Sequence, residues 1–253
     1  MKLSKKITAV ITAATMFAAN SVGFMPNNPI KLPALSASAA DIVASGACGA
    51  EGDNVIWELD SEGTLTISGE GEMVSYYDMS PWVLTHYNIK KAIIEDGVTS
   101  IGSRAFDYCK SLISILIPDS VTSIGISAFA DCENLTSIKI PDGVTIIEDF
   151  AFSGCSSLTS IILPDSVTSI GAYAFYECSS LTSIVLSDGV TSIGSSAFEG
   201  CSSLTSVILP DSVTSIDGFA FSRCSSLTTI TLPDIVPSIG LSAFDSTPWL
   251  KAK

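Results

Sequence analysis

Six of the seven cysteines in this chain recur at a constant spacing, and thiols offer the widest range of chemistry among its side chains. Each of the six follows the previous one by 23 residues, at Cys109, Cys132, Cys155, Cys178, Cys201 and Cys224. Zinc sites need short Cys-x-x-Cys pairs and histidine partners, which this spacing does not supply, so we predict no metal site. Disulfides between neighbours are the alternative, because equivalent Cα atoms in stacked repeats would lie about 4.8 Å apart. The side chains of such a column point the same way, however, and we predict reduced thiols that pack as small hydrophobic groups.

Aspartates recur with the same period and are the second candidate for chemistry. They lie at Asp96, Asp119, Asp142, Asp165, Asp188, Asp211 and Asp234. A column of carboxylates could attract calcium or a cationic partner, because neighbouring like charges repel one another. Asp is also common in turns, where its side chain accepts hydrogen bonds from backbone amides. We expect this second role for the column.

Candidates for catalysis are few. His86 is the only histidine, and no serine or cysteine lies at a spacing that indicates an activated nucleophile. The formal net charge of -14 argues against binding to nucleic acid, because phosphate contacts need clustered Lys and Arg. We therefore predict that the chain is not an enzyme, has no catalytic residue and uses no cofactor.

The cysteines belong to an internal repeat that also carries phenylalanines. These lie at Phe106, Phe129, Phe152, Phe175, Phe198, Phe221 and Phe244, again 23 residues apart. One unit, Leu158–Ser180, reads LTSIILPDSVTSIGAYAFYECSS, and we number its residues as positions 1–23. The first unit begins at Ile89 and the last ends near Trp249, which gives seven repeats over residues 89–249.

Within the unit, apolar residues occupy positions 1, 4, 6, 10, 13, 17, 18 and 21, and we predict that they face inward. Positions 4 and 6 alternate with polar or variable residues, which predicts a strand with one buried face. Pro at position 7 and Asp at position 8 end this strand. The following Val-Thr-Ser-Ile-Gly predicts a second short extended stretch, and Ala-Phe-x-x-Cys predicts a tight helical or 3-10 turn.

One such unit cannot bury its apolar side alone, whereas stacked units form a continuous core. A period of 23 residues is typical of leucine-rich repeats. The predicted fold is therefore a repeat solenoid of leucine-rich repeats, with a parallel β-sheet on one face and short extended, 3-10 or helical turns on the other. The Phe column should form an internal spine.

The unit L-x-x-I-x-L-P-x-x-V-x-x-I-G-x-x-A-F-x-x-C, carried most fully by Leu158–Cys178, resembles the BspA-like leucine-rich repeat proteins of bacterial cell surfaces. The resemblance covers residues 89–249. Residues 46–82 are similar to the leading segment of some members, through Gly46-Ala47-Cys48-Gly49 and Ser80-Pro81-Trp82. Members are implicated in adhesion and in binding host or bacterial proteins, so the resemblance implies a surface protein that binds other proteins.

Residues 40–88 are predicted to cap the first repeat, because an open solenoid end exposes apolar side chains and strand edges. Asn54–Leu59 and Thr64–Ser68 alternate in hydrophobicity around a turn and predict a β-hairpin. Trp82 and Trp249 each follow a proline, and we expect both to cover the last apolar layer at their end of the solenoid. Residues 250–253 are predicted to be a short tail.

Residues 1–39 resemble a secretory signal peptide. A cationic start, Met1–Lys6, precedes the apolar stretch Ile7–Phe24, and Ala37-Ser38-Ala39 offers small residues for cleavage before Ala40. An uncleaved N-terminal anchor is the alternative. We therefore expect a secreted protein or one displayed on the outside of the cell.

The most variable outward position of the predicted sheet is position 5, and it is the candidate protein-binding site. It holds Leu116, Lys139, Ile162, Val185, Ile208 and Thr231. Four aliphatic side chains between polar rows favour contact with a protein, although β-branched residues also suit strands for their own sake. Phe150, Tyr173 and Phe219, at position 16 of the opposite rim, form a second candidate.

These observations predict a non-catalytic leucine-rich repeat protein that mediates adhesion by binding a host or bacterial surface or matrix protein. It should bind neither nucleic acid nor a small-molecule cofactor. The alternative is a structural component of the cell envelope that self-associates through its sheet face or its ends.

Overall fold

A short strand opens each repeat where the sequence alternates between outward and inward side chains. The computed structural model describes residues 40–235 and 237–251; the predicted signal peptide, residues 1–39, and the last two residues of the predicted tail lie outside this range. The strands that open the seven coils are β5 (Lys91–Ile94), β7 (Ser114–Leu116), β9 (Ser137–Lys139), β11 (Ser160–Ile162), β13 (Ser183–Val185), β15 (Ser206–Ile208) and β17 (Thr229–Thr231). We call these strands the first ribbon.

The predicted second extended stretch is also present in every coil and forms the second ribbon. Its strands are β6 (Val98–Ile101), β8 (Ser123–Ile124), β10 (Ile146–Ile147), β12 (Ser169–Ile170), β14 (Ser192–Ile193), β16 (Ser215–Ile216) and β18 (Ser238–Ile239). A backbone turn separates the two strands of a coil, as in coil 4, where Val167 N–H donates to the Pro164 carbonyl at 3.0 Å. The two ribbons therefore line two sides of a common interior.

Neighbouring coils pair in parallel with a register of one full repeat. Ser160 of β11 pairs with Ser137 of β9 on one side and with Ser183 of β13 on the other. Both ribbons are interrupted between coils 2 and 3. From coil 3 onward, the odd-numbered strands β9 to β17 form one five-stranded sheet and the even-numbered strands β10 to β18 form another. The parallel sheet and the stacked repeats confirm the predicted leucine-rich repeat solenoid.

The interior consists of stacked columns of identical side chains. The rings of the seven phenylalanines at position 18 lie nearly parallel, with centroids 5.1–5.5 Å apart and interplanar angles of 4–9°. Six of these rings are fully buried, as are the neighbouring Ala and Cys columns from coil 1 to coil 6. The predicted Phe spine is confirmed, and offset stacking of this kind adds to the hydrophobic gain from burial.

The return segments between the second ribbon and the next coil are hydrogen-bonded turns. Within coil 3, Cys155 N–H donates to the Phe152 carbonyl, and between coils Phe152 N–H donates to the Ala174 carbonyl at 2.8 Å. These contacts repeat along the chain and form a third column of backbone hydrogen bonds. The return segments are tight turns as predicted, but in the described residues they form neither an α-helix nor a 3-10 helix. The additional column of hydrogen bonds explains how a segment without strands is held in register.

Two residues of every return segment have a left-handed backbone, which the sequence analysis did not predict. Their φ angles lie between 53° and 76°. They are Arg104, Ser127, Phe150, Tyr173, Ser196, Phe219 and Ser242 at position 16, and Tyr108, Asp131, Gly154, Glu177, Gly200, Arg223 and Ser246 at position 20. A left-handed backbone costs about 1–2 kcal/mol for each residue other than glycine, and the third column of hydrogen bonds offsets this cost.

The N-terminal cap contains the predicted hairpin and one strand more. β2 (Gly52–Asp60) and β3 (Thr64–Gly69) pair antiparallel, and β1 (Ile42–Gly49) adds to the outer edge of β2. β3 then pairs in parallel with β5, while β4 (Gly71–Glu72) pairs with β6. The cap thus continues both ribbons and covers the edge of coil 1, which would otherwise be exposed.

A tryptophan stands at each end of the Phe spine. Trp82, just before the 3-10 helix Val83–Asn88, is fully buried and lies 5.7 Å from the Phe106 ring. Trp249, in the short helix α1 (Pro248–Lys251), lies 5.0 Å from the Phe244 ring, and this helix extends into the predicted tail. Both tryptophans therefore cover the spine, as expected from the sequence.

Replacing Phe175 by Ala tests the spine. We expect Phe175→Ala to lower the free energy of unfolding by about 3–5 kcal/mol, because it leaves a cavity between Phe152 and Phe198. Urea denaturation followed by circular dichroism measures the change. Phe150→Ala is the matched control, because Phe150 is 39% exposed and lies outside the spine. Equal losses in the two variants would contradict the burial of Phe175.

Candidate functional site

The first ribbon presents the six predicted binding residues on its outer face. Ile162 at position 5 is 72% exposed, whereas its neighbours in the chain, Ile161 and Leu163, are 2% and 3% exposed. Leu116, Val185 and Ile208 are exposed in the same way, at 61–68%. We call these four aliphatic residues, together with Lys139 and Thr231, the apolar stripe.

Backbone pairing brings most of the apolar stripe into line. Ile162 pairs with Lys139 on one side and with Val185 on the other, and Ile208 pairs with Thr231. Leu116 differs, because β7 belongs to the sheet that the N-terminal cap begins. The structure thus places five of the six predicted residues on one sheet and Leu116 on its neighbour.

In the described part of the chain, hollows open along the apolar stripe at coils 3 and 4 and at coils 5 and 6. The first has a volume of about 510 Å³, and Lys139, Asp142, Ile162 and Pro164 are among its lining residues. The second, of about 340 Å³, is lined by the corresponding residues two coils later, Val185, Asp188, Ile208 and Pro210. The hollows combine an aliphatic side chain, a proline ring and a carboxylate, which suits contact with an apolar side chain that has a positive charge nearby.

The Asp column borders the apolar stripe, and of its members among the described residues only Asp211 has the expected role of accepting a hydrogen bond from a turn amide. The turn amide is satisfied by the backbone itself, since Val144 N–H donates to the Pro141 carbonyl at 3.1 Å. Asp211 accepts one hydrogen bond, from Asp234 N–H, and Asp119 lies 3.4 Å from Lys139 Nζ. In the described part of the chain, the carboxylates of Asp142, Asp165 and Asp188 accept none and remain exposed to solvent.

The second candidate, on the opposite rim, is assembled only in part. Phe150 and Tyr173 stack with centroids 4.8 Å apart, and Tyr176 packs edge-on against Tyr173. Coil 5 separates this pair from Phe219, because its position 16 holds the buried Ser196. The three aromatic residues therefore do not form one continuous surface.

A polar groove of about 630 Å³, along positions 20 and 22 of coils 2–6 and position 20 of coil 7, was not predicted from the sequence. Its lining includes Asp131, Glu133 and Glu177, while Arg223 at one end lies 3.6 Å from Glu177. Gly154 and Gly200 leave gaps between these charged side chains. The alternation of glycine and charged residues at position 20 is the signal that could have indicated the groove.

The cysteine column is buried, as predicted. All seven cysteines are free, and Cys178 Sγ donates to the Phe152 carbonyl of the preceding coil at 3.1 Å. Burial raises the pKa of the Cys109 and Cys224 thiols to about 12. Because the thiolate is the reactive form, this environment makes the column chemically inert near neutral pH. Among the described residues, no group of three Cys, His, Asp or Glu side chains could hold a metal ion.

The comparisons with known proteins concern the repeats. The model of the BspA type leucine-rich repeat region matches residues 83–168 and 145–252, with six copies. The leucine-rich repeat protein of T. pallidum has a TM-score of 0.61 and 32% identity, over 76% of this chain and 86% of that one. A leucine-rich repeat protein from Bacteroides ovatus ATCC 8483 has a TM-score of 0.53 and 28% identity, over 77% of this chain and 56% of that one. No curated protein matches the chain, and no helix in the described residues is long and apolar enough to cross a membrane.

Thiol titration tests the cysteine column. At about pH 8 we expect the folded protein to react hardly at all with an aromatic disulfide reagent, because burial keeps the thiols protonated and inaccessible. In denaturant, all seven thiols should react. A count in denaturant that falls short by pairs of thiols would reveal disulfides and contradict the packed column.

Proposed function

This chain belongs to the BspA-type leucine-rich repeat family, and from that premise we propose that it binds another protein through the apolar stripe. Leucine-rich repeat solenoids of this family are typically non-catalytic, and we propose the same for this chain. The partner is a host or bacterial surface or matrix protein.

The observation that supports this proposal most strongly is the exposure of Ile162, Val185 and Ile208 on adjacent coils. Aliphatic side chains in contiguous exposed positions are costly in water, and burial against a partner removes that cost. Their neighbours at position 3 are exposed serines, such as Ser160 and Ser183. An apolar centre with polar edges is the usual composition of a protein interface.

Strand propensity alone does not explain the aliphatic residues. The second ribbon is equally extended, yet its outward position 12 holds serine in β8, β12, β14, β16 and β18. Only β10 differs there, with Ile146. If β-branched side chains were present merely to favour strands, both ribbons would carry them. Outward aliphatic side chains recur along the first ribbon, whereas outward position 12 of the described second ribbon holds one only at Ile146, which supports a role in contact.

We further propose that the protein acts outside the cell, in adhesion. Two features support this proposal. The family to which the chain belongs includes bacterial cell-surface proteins, and residues 1–39, which precede the described part of the chain, resemble a secretory signal peptide. Self-association is the alternative, because coil 7 leaves Ile235 and Leu241 exposed at 84% and 80%. The outer edges of β17 and β18 also have no strand partner among the described residues.

Three lysines in the apolar stripe test the proposal. We expect Ile162→Lys, Val185→Lys and Ile208→Lys together to weaken binding by at least about tenfold, because the interface would then have to bury charges. Binding would be measured against purified extracellular matrix proteins and intact bacteria, with circular dichroism melting to verify the fold.

The matched control replaces one valine and two isoleucines by lysine on other surfaces of the protein. Val43, Ile126 and Ile146 are 59%, 46% and 42% exposed, and none lies on the first ribbon. Val43→Lys, Ile126→Lys and Ile146→Lys change the net charge equally and should leave binding intact. If the two triple variants bind alike, the apolar stripe is not the binding surface.

A further inference from the structure

The two hollows on the apolar stripe lie two coils apart. Asp142, Ile162 and Pro164 of the first hollow correspond to Asp188, Ile208 and Pro210 of the second, in each case 46 residues later. With a step of about 4.8 Å from strand to strand, two coils place the hollows about 10 Å apart along the stripe. A single ligand that fills both must therefore present apolar groups at this separation.

A two-coil period in the sequence underlies this spacing. Position 9 is glycine in coils 1, 3 and 5 and serine in coils 2, 4 and 6. Each of these serines donates a hydrogen bond from Oγ to the carbonyl of position 10 in the coil before it, as Ser166 does to Val144 at 2.6 Å and Ser212 to Val190 at 2.6 Å. These bonds link coil 3 to coil 4 and coil 5 to coil 6, while Ser187 Oγ donates to the Val167 carbonyl at 3.3 Å and links coil 4 to coil 5. The first hollow lies at coils 3 and 4 and the second at coils 5 and 6.

The strand pairing beneath the two hollows differs. β13 and β15 pair only through Ser183 and Ser206, at the beginning of each strand, whereas β9 and β11 pair along their whole length. A hollow is present in both places, so it does not depend on the pairing of the strands.

The distance between the two hollows favours one backbone conformation of the ligand. In a polyproline II segment, residues three apart lie on one side at about 9.3 Å, close to the separation of the hollows. In a β-strand, residues on one side repeat at about 6.7 Å, which does not match. A helix about 10–12 Å across would cover the Asp column as well as the stripe, because the strands at the hollows, β9, β11, β13 and β15, are only three residues long. An extended segment leaves the carboxylates accessible to its side chains.

The negative charge beside the hollows favours a cationic ligand. Asp142 and Asp188 line the hollows, and in the described structure neither carboxylate accepts a hydrogen bond or pairs with a cation. Lys139, the one cationic residue of the stripe, also lines the first hollow, and its Nζ lies 3.4 Å from a carboxylate oxygen of Asp119, which offsets its charge. The net charge of the whole chain is also negative, which draws cationic segments to it from a distance.

We propose that the apolar stripe binds an extended, cationic polyproline II segment of its partner, with apolar side chains three residues apart that fill the two hollows and basic side chains that face Asp142 and Asp188. This inference rests on the proposed function, since it names the chemistry of the partner at that same surface.

A synthetic peptide that repeats Leu-Pro-Lys along the stripe is the direct probe. Its leucines are three residues apart and its lysines carry the positive charge. Two control peptides repeat Leu-Pro-Glu, which reverses the charge, and Leu-Lys, which changes the apolar spacing. Fluorescence anisotropy of labelled peptides on the whole protein should show binding of Leu-Pro-Lys alone, weakened by added salt.

Variants of the protein locate the bound peptide. We expect Asp142→Asn with Asp188→Asn to weaken binding of the Leu-Pro-Lys peptide by about three- to tenfold, the range for two exposed ion pairs. Asp53→Asn with Asp78→Asn is the matched control, because both residues are exposed in the N-terminal region and the change in net charge is equal. This control should leave the affinity unchanged.

The outcomes separate this inference from the proposed function. Three outcomes would contradict the proposal that the bound segment is cationic. These are equal binding of the Leu-Pro-Lys and Leu-Pro-Glu peptides, equal effects of the two pairs of Asp→Asn substitutions, and no peptide binding at all. The proposed function would still stand if the triple Lys variant of the stripe lost its protein partner. Peptide binding that survives the triple Lys variant would place the peptide elsewhere, such as the groove with Asp131 and Glu177, and would also overturn the inference.

Discussion

The structure depends on the packing of each coil against identical side chains of its neighbours. A single 23-residue unit has two short strands, a turn between them and a return segment of further turns, and it cannot enclose its own apolar residues. Phe175 is fully buried only because Phe152 and Phe198 lie on its two faces. Burial, ring stacking and three columns of backbone hydrogen bonds all require one register, so a local change in any coil affects both neighbours.

This constraint also creates the surface that we propose for binding. Once inward residues are stacked in register, outward residues at each position must form rows along the solenoid. Position 5 becomes the apolar stripe and position 8 becomes the Asp column, which border one another because only two residues separate them. The surface can vary freely in composition, since Lys139, Ile162 and Thr231 all occupy the same position without a change in the backbone.

Much of this arrangement could be predicted from periodicity, because burial repeats with the sequence. The Phe, Ala and Cys columns and the outward direction of Ile162 follow from alternation and the 23-residue period. The left-handed backbone at positions 16 and 20 could not, since Phe150 and Tyr173 do not favour a positive φ on their own. Only Gly154 and Gly200 hinted at it. The free carboxylates of the Asp column were also missed, because the turn amides have a backbone acceptor, which residue type alone does not reveal.

The central claim is that successive 23-residue units share one interior, and deletions within one repeat test it most directly. Removing residues 161–183 takes out one full period and joins Ser160 to Ile184 in register. Removing residues 162–183 leaves one extra residue inside the strand and turns inward side chains outward. Thermal unfolding followed by circular dichroism should show a cooperative transition for the first variant and a much lower or broadened one for the second. Identical melting of the two variants would contradict the shared interior.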